Sequence, residues 1–302
     1  MKHRSYENAS DVQLLQDFTA RARAVTGGCG YVHPGDIPHR LFSGNRLYDP
    51  SEVLCIWEDK EGVAAWVLIG PRHRAYDAQV RPDLRGGPFE REVLLYADKR
   101  MAELMRRHGI EGDQMLGDAA RCDTIRSGFL KELGWTPDGD PPYVVNQRSL
   151  DVLPDLIIPE GYTIRPVAGL HEATALAALH SACFATAWTP ESYRTLMQTP
   201  GYAREREYVV EAADGALAAF TETWRDPLNR TGLLEPVGTH PDHRRRGLAK
   251  ALVLYALHAM ASEGMETAEA ANSGANDASR DLYRACGFEP WQLLDGYVKP
   301  FA

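Results

Sequence analysis

A basic loop at residues 240–249 carries the residues of this chain that are best suited to chemistry. It lies between a strand-like run at residues 233–239 and a helix-like run at residues 248–263. The start of a helix offers unpaired N–H groups and partial positive charge, and Gly247 lets backbone approach a ligand closely. The Arg-x-x-Gly-x-Ala spacing therefore indicates a pyrophosphate-binding loop, although a basic loop that merely precedes a helix would look the same. The cations that would meet phosphate oxygens are Arg244, Arg245 and Arg246.

A second motif lies downstream, after a strand-like run at residues 267–271. Asn276 or Asp277 is placed to cap a short helix, and Gly287 is placed to end it. The helix and its end contain the motif Leu-Tyr-x-x-x-Gly-Phe, which is formed here by Leu282, Tyr283, Gly287 and Phe288.

Together, in this order and with these strands, the two motifs resemble those of the GNAT superfamily of N-acetyltransferases, over about residues 160–302. In that family the first motif binds the coenzyme A pyrophosphate, and the Tyr of the second is often the general acid. The resemblance implies acetyl-CoA as co-substrate and Tyr283 as general acid. It implies coenzyme binding by Val237, Gly238, Thr239, Arg244, Arg245, Arg246, Gly247, Leu248, Ala249, Asn276 and Tyr283.

The length of 302 residues exceeds what one core usually supports, so two domains are expected. A link without regular structure is expected between them, because it contains Pro154, Pro159 and Gly161. We expect a first domain at residues 1–150, a linker at 151–160 and a GNAT domain at 161–302.

The first half reads as a degenerate copy of the second. Residues 82–85 parallel 241–244, and residues 129–135 parallel 282–288. The expected fold is therefore α/β (α+β), with two tandem GNAT-like domains that are each a mixed, mostly antiparallel sheet flanked by helices. Because Pro88 stands for Gly247 and Leu130 for Tyr283, the first copy should lack a productive site. The alternative is a second coenzyme site.

Glu235 is the candidate general base, on the strand before the basic loop. Strand alternation predicts that it shares a face with Leu233 and Val237. A carboxylate in an apolar strand is costly unless it is solvated, paired or used. Many GNAT relatives carry the acid two positions earlier, where this chain has Leu233. Glu235 is therefore also open to acting through water, binding the acceptor ammonium or pairing with an arginine.

The resemblance also implies an open gap between strands 233–239 and 267–271 for the coenzyme, with N–H groups at 237–239 polarising the thioester carbonyl. Aromatic and acidic side chains of the preceding strand and of the segment after the first helix would suit a cationic amine. They are Trp188, Glu222 and Trp224. The alternative is a solvated strand face beside core aromatics. His171 and His180 are expected at a helix surface.

Composition excludes several classes of protein. The net charge of −9 argues against nucleic-acid binding. The sequence has no run of about 18 apolar residues, so no membrane span is expected. The first 17 residues do not resemble a secretory signal, so a cytoplasmic location is expected. The five cysteines show no Cys-x-x-Cys pair and are expected as free thiols, without a metal.

These observations predict an enzyme that moves an acetyl group directly from acetyl-CoA to a primary amine of a small molecule, without a covalent intermediate. Two alternatives stay open, namely a transferase that uses a longer acyl-CoA and a non-catalytic acyl-CoA sensor. The acceptor is not specified by the sequence, and a homodimer is compatible with it.

Overall fold

The computed structural model describes residues 1–300, which form two compact units. The first unit contains Met1–Val144, Ser273–Ala275 and the chain from Gln292 to its last described residue. The second contains Val145–Asn272 and Asn276–Trp291.

The first unit is built on an antiparallel sheet whose four strands follow one another in chain order. Its third strand is almost wholly apolar and buried, as expected for a strand covered on both faces. The elements are β1 (His3–Ser5), α1 (Ala9–Thr26), α2 (Asp36–Pro38), α3 (Pro50–Val53), β2 (Leu54–Asp59), β3 (Gly62–Gly70), β4 (Ala75–Val80), α4 (Pro88–Arg107), β5 (Gln114–Ala120), α5 (Thr124–Glu132) and β6 (Thr136–Pro137). The end of the last strand of the chain pairs antiparallel with β5.

The second unit is built on a mixed sheet. The elements are β7 (Tyr143–Ser149), β8 (Tyr162–Pro166), α6 (Ala173–Phe184), α7 (Pro190–Leu196), β9 (Glu207–Ala212), β10 (Leu217–Asp226), β11 (Thr231–Thr239), α8 (Leu248–Ser262), β12 (Thr267–Ser273), α9 (Asp277–Ala285) and β13 (Glu289–Pro300). The strand order in the sheet is β7-β12-β11-β10-β9-β8. The pairs from β8 to β11 are antiparallel, whereas β11 and β12 run parallel. Strand β13 begins in this unit and ends in the first.

Helix α8 is the central helix of the second unit. Leu252, Val253, Ala256, Leu257 and Met260 are fully buried along it. Apolar side chains at spacings of three and four residues give a helix one continuous core face, and here that face packs in the same core cluster as residues of β9, β10 and β11. The predicted α/β class, with sheets flanked by helices, is confirmed. The sheet of the second unit is mixed and mostly antiparallel as predicted, whereas the four-stranded sheet of the first unit is wholly antiparallel.

One cysteine prediction is wrong. Cys29 and Cys122 form a disulfide in the first unit, with their Cα atoms 6.1 Å apart, whereas Cys55, Cys183 and Cys286 are free thiols. The two bonded cysteines are 93 positions apart, so only the tertiary fold brings them together and no local spacing signals the pair.

None of the helices within residues 1–300 has both the length and the apolar character that crossing a membrane requires.

Candidate functional site

The basic loop connects β11 to α8 in the second unit. A short 3₁₀ turn, Pro241–His243, begins it, and Gly247 is the N-cap residue of α8. Arg245 and Gly247 both have left-handed backbone, with φ of 59° and 79°, which a glycine adopts without strain. No side chain caps α8, so its first N–H groups are left for a ligand.

The arginines of the loop are exposed, as an anion site requires. Arg244 is held by backbone carbonyls, with Nε 3.2 Å from the oxygen of Thr239. Arg246 donates from Nη1 to the hydroxyl of Tyr162 on β8, 2.9 Å away, and the same hydroxyl lies 3.1 Å from Nδ1 of His243. The loop is therefore ordered by Tyr162, which belongs to neither sequence motif.

Strand β11 leaves its parallel neighbour halfway along its length. Its pairing with β12 ends at Leu234 opposite Ala270. On its other side, Thr221 of β10 pairs with Val237 and Thr223 pairs with Leu234, so β11 contains one extra residue at 235–236. This β-bulge bends the strand where the pairing with β12 stops. The predicted gap between the two strands is thus present beyond Leu234.

The bulge overturns one prediction about strand faces. Leu233 lies opposite Trp224, and Val237 lies opposite Thr221. Trp224 and Thr221 are three positions apart on β10 and so point to opposite faces. Leu233 and Val237 therefore do not share a face, and the prediction that Glu235 shares a face with both is wrong, because the extra residue shifts the alternation.

Gly238 lies at the closest packing point of β11. A Cβ placed there would lie 2.8 Å from Cε1 of Phe220 and 3.0 Å from Cβ of Cys183. A side chain at this position would push apart β11 and α6. Val237 and Thr239, on either side, are half-buried.

Tyr283 lies on α9, and its ring is buried against Phe288, with the ring centroids 5.6 Å apart. Asn276 is exposed and caps α9, because its side-chain oxygen accepts a hydrogen bond from N–H of Ser279 at 3.1 Å. In the basic loop, Leu248 is buried and Ala249 half-buried. The second motif is thus a capped helix that fixes the tyrosine ring.

The predicted acceptor residues fall into two layers. Glu222 and Trp224 line a small pocket of about 10 Å³ beside the bulge, and Nε1 of Trp224 donates to the backbone oxygen of Glu235 at 3.1 Å. Trp188 is buried behind this layer, packed on Tyr193 with a centroid distance of 5.2 Å. The pocket is lined by Tyr202, Ala203, Arg206, Glu207, Glu222, Thr223 and Trp224.

Glu207 is the residue of this pocket that sequence reasoning missed. It opens β9, is 1% exposed and pairs in register with Glu222. The hydroxyls of Tyr193, at 2.5 Å, and Tyr202 both donate to its carboxylate. Burial, and then the charge of Glu222, raise the pKa of Glu207 to about 8. An acid directly before the apolar run of this strand was the available signal, but its partner is visible only from the register.

The histidine of α6 is also placed differently from the prediction. His171 is exposed, as expected. His180, however, is 8% exposed and packs between Trp188 and Phe220, with centroid distances of 4.7 and 5.1 Å. The helix turns this residue toward the sheet because neighbouring apolar positions define its buried face.

Of the free thiols in the second unit, Cys286 is buried and Cys183 is half-buried. Burial raises the pKa of Cys183 and of Cys286 to about 11 each, so both are protonated at neutral pH.

The corresponding loop of the first unit, residues 81–88, is filled by the protein itself. Glu90 is fully buried and accepts hydrogen bonds from N–H of Gly86 at 2.8 Å and from Nε of Arg85 at 3.0 Å. Arg85 also donates to both oxygens of Asp123, at 2.7 and 2.8 Å. Two carboxylates thus take the hydrogen bonds that an anionic ligand would take. Within residues 1–300, no group of three or more acidic, histidine or cysteine residues is placed to hold a metal ion.

A family model matches part of the second unit. Residues 173–288, which include both motifs and the pocket, match the model of the acetyltransferase (GNAT) family. This part of the chain is a GNAT acetyltransferase domain. A relative of nearly the same extent is a mycothiol acetyltransferase from Kytococcus sedentarius, which is 29% identical over 309 residues and aligns 96% of this chain with 95% of its own. The prediction of an acyltransferase enzyme is confirmed.

Solved structures show that the GNAT resemblance extends to the fold of the whole chain. A GCN5-related N-acetyltransferase from Sphaerobacter thermophilus has a TM-score of 0.65 at 18% identity and covers 99% of this chain and 95% of its own. A tandem GNAT protein from the clavulanic acid biosynthesis pathway has a TM-score of 0.64 at 16% identity and covers 99% and 98%. The predicted tandem GNAT architecture is confirmed.

Proposed function

We propose that the protein transfers an acetyl group from acetyl-CoA to a primary amine of a small molecule. The observation that carries this proposal is the uncapped N-terminus of α8, which follows directly on the part of β11 that has left β12. A phosphate binds at such a helix start, and an extended thioester arm pairs with an open strand. We assign the pyrophosphate to the basic loop and the arm to residues 235–239.

The reaction needs a polarised carbonyl, a neutral amine and a protonated leaving group. N–H groups of Val237, Gly238 and Thr239 are the proposed donors to the carbonyl, and losing one such donor typically costs about 3–4 kcal/mol of transition-state stabilisation. The amine nitrogen attacks the carbonyl carbon, the C–S bond breaks, and Tyr283 gives its proton to the thiolate. The buried ring of Tyr283 favours a fixed direction for its hydroxyl.

The transfer is proposed to be direct. An acyl-enzyme would need a thiolate or another activated nucleophile. The pKa of Cys183, the cysteine beside the basic loop, is raised to about 11, which leaves it protonated.

The acceptor is proposed to be a cationic amine. Glu222 and Trp224 supply a carboxylate and an aromatic face to the pocket. Glu235 remains a proposed base, because its backbone lies at the bulge and is bonded to Trp224. Since relatives are mycothiol acetyltransferases, mycothiol-related amines belong among the candidate acceptors. Many GNAT relatives carry the acid where this chain has Leu233. Because of this difference, amines of other kinds should be tested as well.

The test is release of coenzyme A thiol from acetyl-CoA in the presence of single amines, namely aminoglycosides, polyamines, amino acids, peptide N-termini and mycothiol-related amines. We expect at least one to be acetylated. Tyr283→Phe should then lower turnover by about 10²–10⁴ with acetyl-CoA affinity nearly unchanged. Tyr255→Phe, on α8, is the matched control and should keep wild-type turnover.

Other outcomes point to the alternatives. Thiol release only with longer acyl-CoA donors would identify a different acyl transferase. Tight acetyl-CoA binding without release on any amine would favour a sensor. Wild-type turnover of Tyr283→Phe, with chemistry limiting the rate, would remove Tyr283 from the reaction.

A further inference from the structure

We propose that Glu207 and Glu222 act as a pair that accepts the proton of the acceptor ammonium, an inference that rests on the proposed amine acetylation. It assigns the base role to two carboxylates on β9 and β10 rather than to Glu235 on β11.

The pair is defined by strand register and by a pocket. Glu207 and Glu222 are opposite partners on neighbouring antiparallel strands, so their side chains share one face. Both line the same pocket, and they are 1% and 3% exposed. Its volume of about 10 Å³ has room for about one water-sized group. It therefore suits the amine end of an acceptor and not the whole molecule.

The walls of the pocket fit an ammonium group. Trp224 and Tyr202 line it beside the two carboxylates, and a cation is attracted by both aromatic faces and negative charge. Arg206 also lines the pocket, and its guanidinium is ion-paired with Glu263 at 3.0 Å.

The pocket also lies at the place where transfer would occur. Glu222 stands between the pairs Thr221–Val237 and Thr223–Leu234, opposite the bulge. This bulge is where β11 leaves β12, so the proposed thioester position begins there. A base is useful only within reach of the reacting amine.

Several groups set the proton affinity of the pair. Two buried carboxylates at one site resist ionising together, so the charge of Glu222 favours the protonated form of Glu207. The hydroxyls of Tyr193 on α7 and of Tyr202 donate to Glu207 and favour its ionised form. Glu172, before α6, and Glu222 oppose ionisation by charge. Burial is the largest influence, and the resulting pKa of Glu207 is about 8.

The proton balance of the reaction closes with this pair. The pair takes one proton from R–NH₃⁺, and the nitrogen lone pair forms the C–N bond with the acetyl carbon. The C–S bond breaks, Tyr283 gives its proton to the thiolate and regains one from the new amide nitrogen. The pair then returns its proton to solvent.

The test measures kcat/KM for the acceptor against pH in two single variants. Glu222→Gln removes a like charge, so the pKa of Glu207 should fall and the acid limb of the profile should move to lower pH by on the order of one unit. Tyr202→Phe removes a hydrogen bond that favours ionised Glu207, so the limb should move to higher pH. Opposite shifts are not expected from a merely structural role.

A double variant and a control complete the experiment. Glu207→Gln with Glu222→Gln should lower kcat/KM by about 100-fold below the pKa of the acceptor amine and recover as the amine deprotonates unaided. Glu191→Gln, an exposed carboxylate on α7, should leave the profile unchanged. Acetyl-CoA affinity, measured by calorimetry, should stay at the wild-type value in every variant and so report intact folding.

The outcomes distinguish failure of the proposed carboxylate pair from failure of the proposed amine acetylation. A wild-type protein that acetylates no amine contradicts the proposed function. A wild-type protein that acetylates an amine, with unshifted limbs in Glu222→Gln and Tyr202→Phe, overturns the pair alone. A limb that moves only in Glu235→Gln would assign the base to Glu235 instead.

Discussion

The loops that precede α4 and α8 share the same order of turn and helix-start signals, but different groups surround the two helix starts. Both follow a strand, pass through a short 3₁₀ turn that begins with proline, and reach a long helix whose N-cap is a glycine without a side-chain cap. Before α8, exposed arginines surround an open helix start. Before α4, Glu90 and Asp123 hold Arg85 and the N–H of Gly86.

A single residue explains part of the difference. Gly247 has φ of 79°, which the ring of a proline forbids. With Pro88 in the aligned position, α4 begins at that residue, and the left-handed conformation of Gly247 has no counterpart there, whereas Gly86, aligned with Arg245, keeps a φ of 76°. The proline and glycine residues of these loops thus indicate where a helix starts, whereas the groups that contact its first N–H groups decide whether a ligand can bind.

The largest expected effect concerns the carboxylate that fills the first loop. Glu90→Gln removes the buried negative partner of Arg85 and leaves the cation less compensated. We expect the free energy of unfolding to fall by about 3–5 kcal/mol. Urea unfolding beside the exposed variant Glu92→Gln measures this. An unchanged midpoint would show that Glu90 does not stabilise the first loop.

A smaller effect concerns the second unit, where the buried Glu207 should make the free energy of unfolding depend on pH. The pKa of Glu207 is raised from 4.5 to about 8, so between these values the folded state holds a proton that the unfolded chain has lost. This contribution to stability is complete below the lower value and disappears as pH rises through the upper one. Its slope is at most about 1.4 kcal/mol per pH unit. Thermal unfolding of Glu207→Gln should show a flatter pH dependence than wild type across this window, and an equal slope would contradict the raised pKa.

The smallest expected effect tests the helix start of α4. Gly87 has an extended backbone, and a Cβ there meets nothing closer than 3.9 Å. Asp at this N-cap should accept a helix N–H and raise stability by a few tenths of a kcal/mol, with acetyl-CoA binding unaffected. A loss of coenzyme affinity in Gly87→Asp would show that the first loop takes part in binding after all.

Much of this site was visible in the sequence because it depends on local signals. The Arg-x-x-Gly-x-Ala spacing, the cap formed by Asn276 and the apolar run of α8 each act within a few residues. Such signals predicted the strands and helices of both halves and the position of the basic loop.

Most of the missed features depend on contacts between distant residues, whereas the burial of His180 follows from the apolar face of its own helix. The bulge at residues 235–236 breaks an alternation that a strand pattern assumes to be regular. The disulfide of Cys29 joins residues 93 positions apart. The partnership of Glu207 with Glu222 follows from register, and the filling of the first loop by Asp123 follows from tertiary packing. None of these long-range features has a local pattern that would indicate it.

The central claim is that each chain has one acetyl-CoA site, at the basic loop of α8. The most direct measurement is calorimetric titration of acetyl-CoA into the whole protein and into Gly247→Asp, which places a carboxylate and a strained side chain at the helix start. We expect one site per chain in the wild type and an affinity at least about 100-fold weaker in the variant, equivalent to about 2.7 kcal/mol. Near wild-type affinity in a folded Gly247→Asp, or two equivalent sites in the wild type, would contradict the claim.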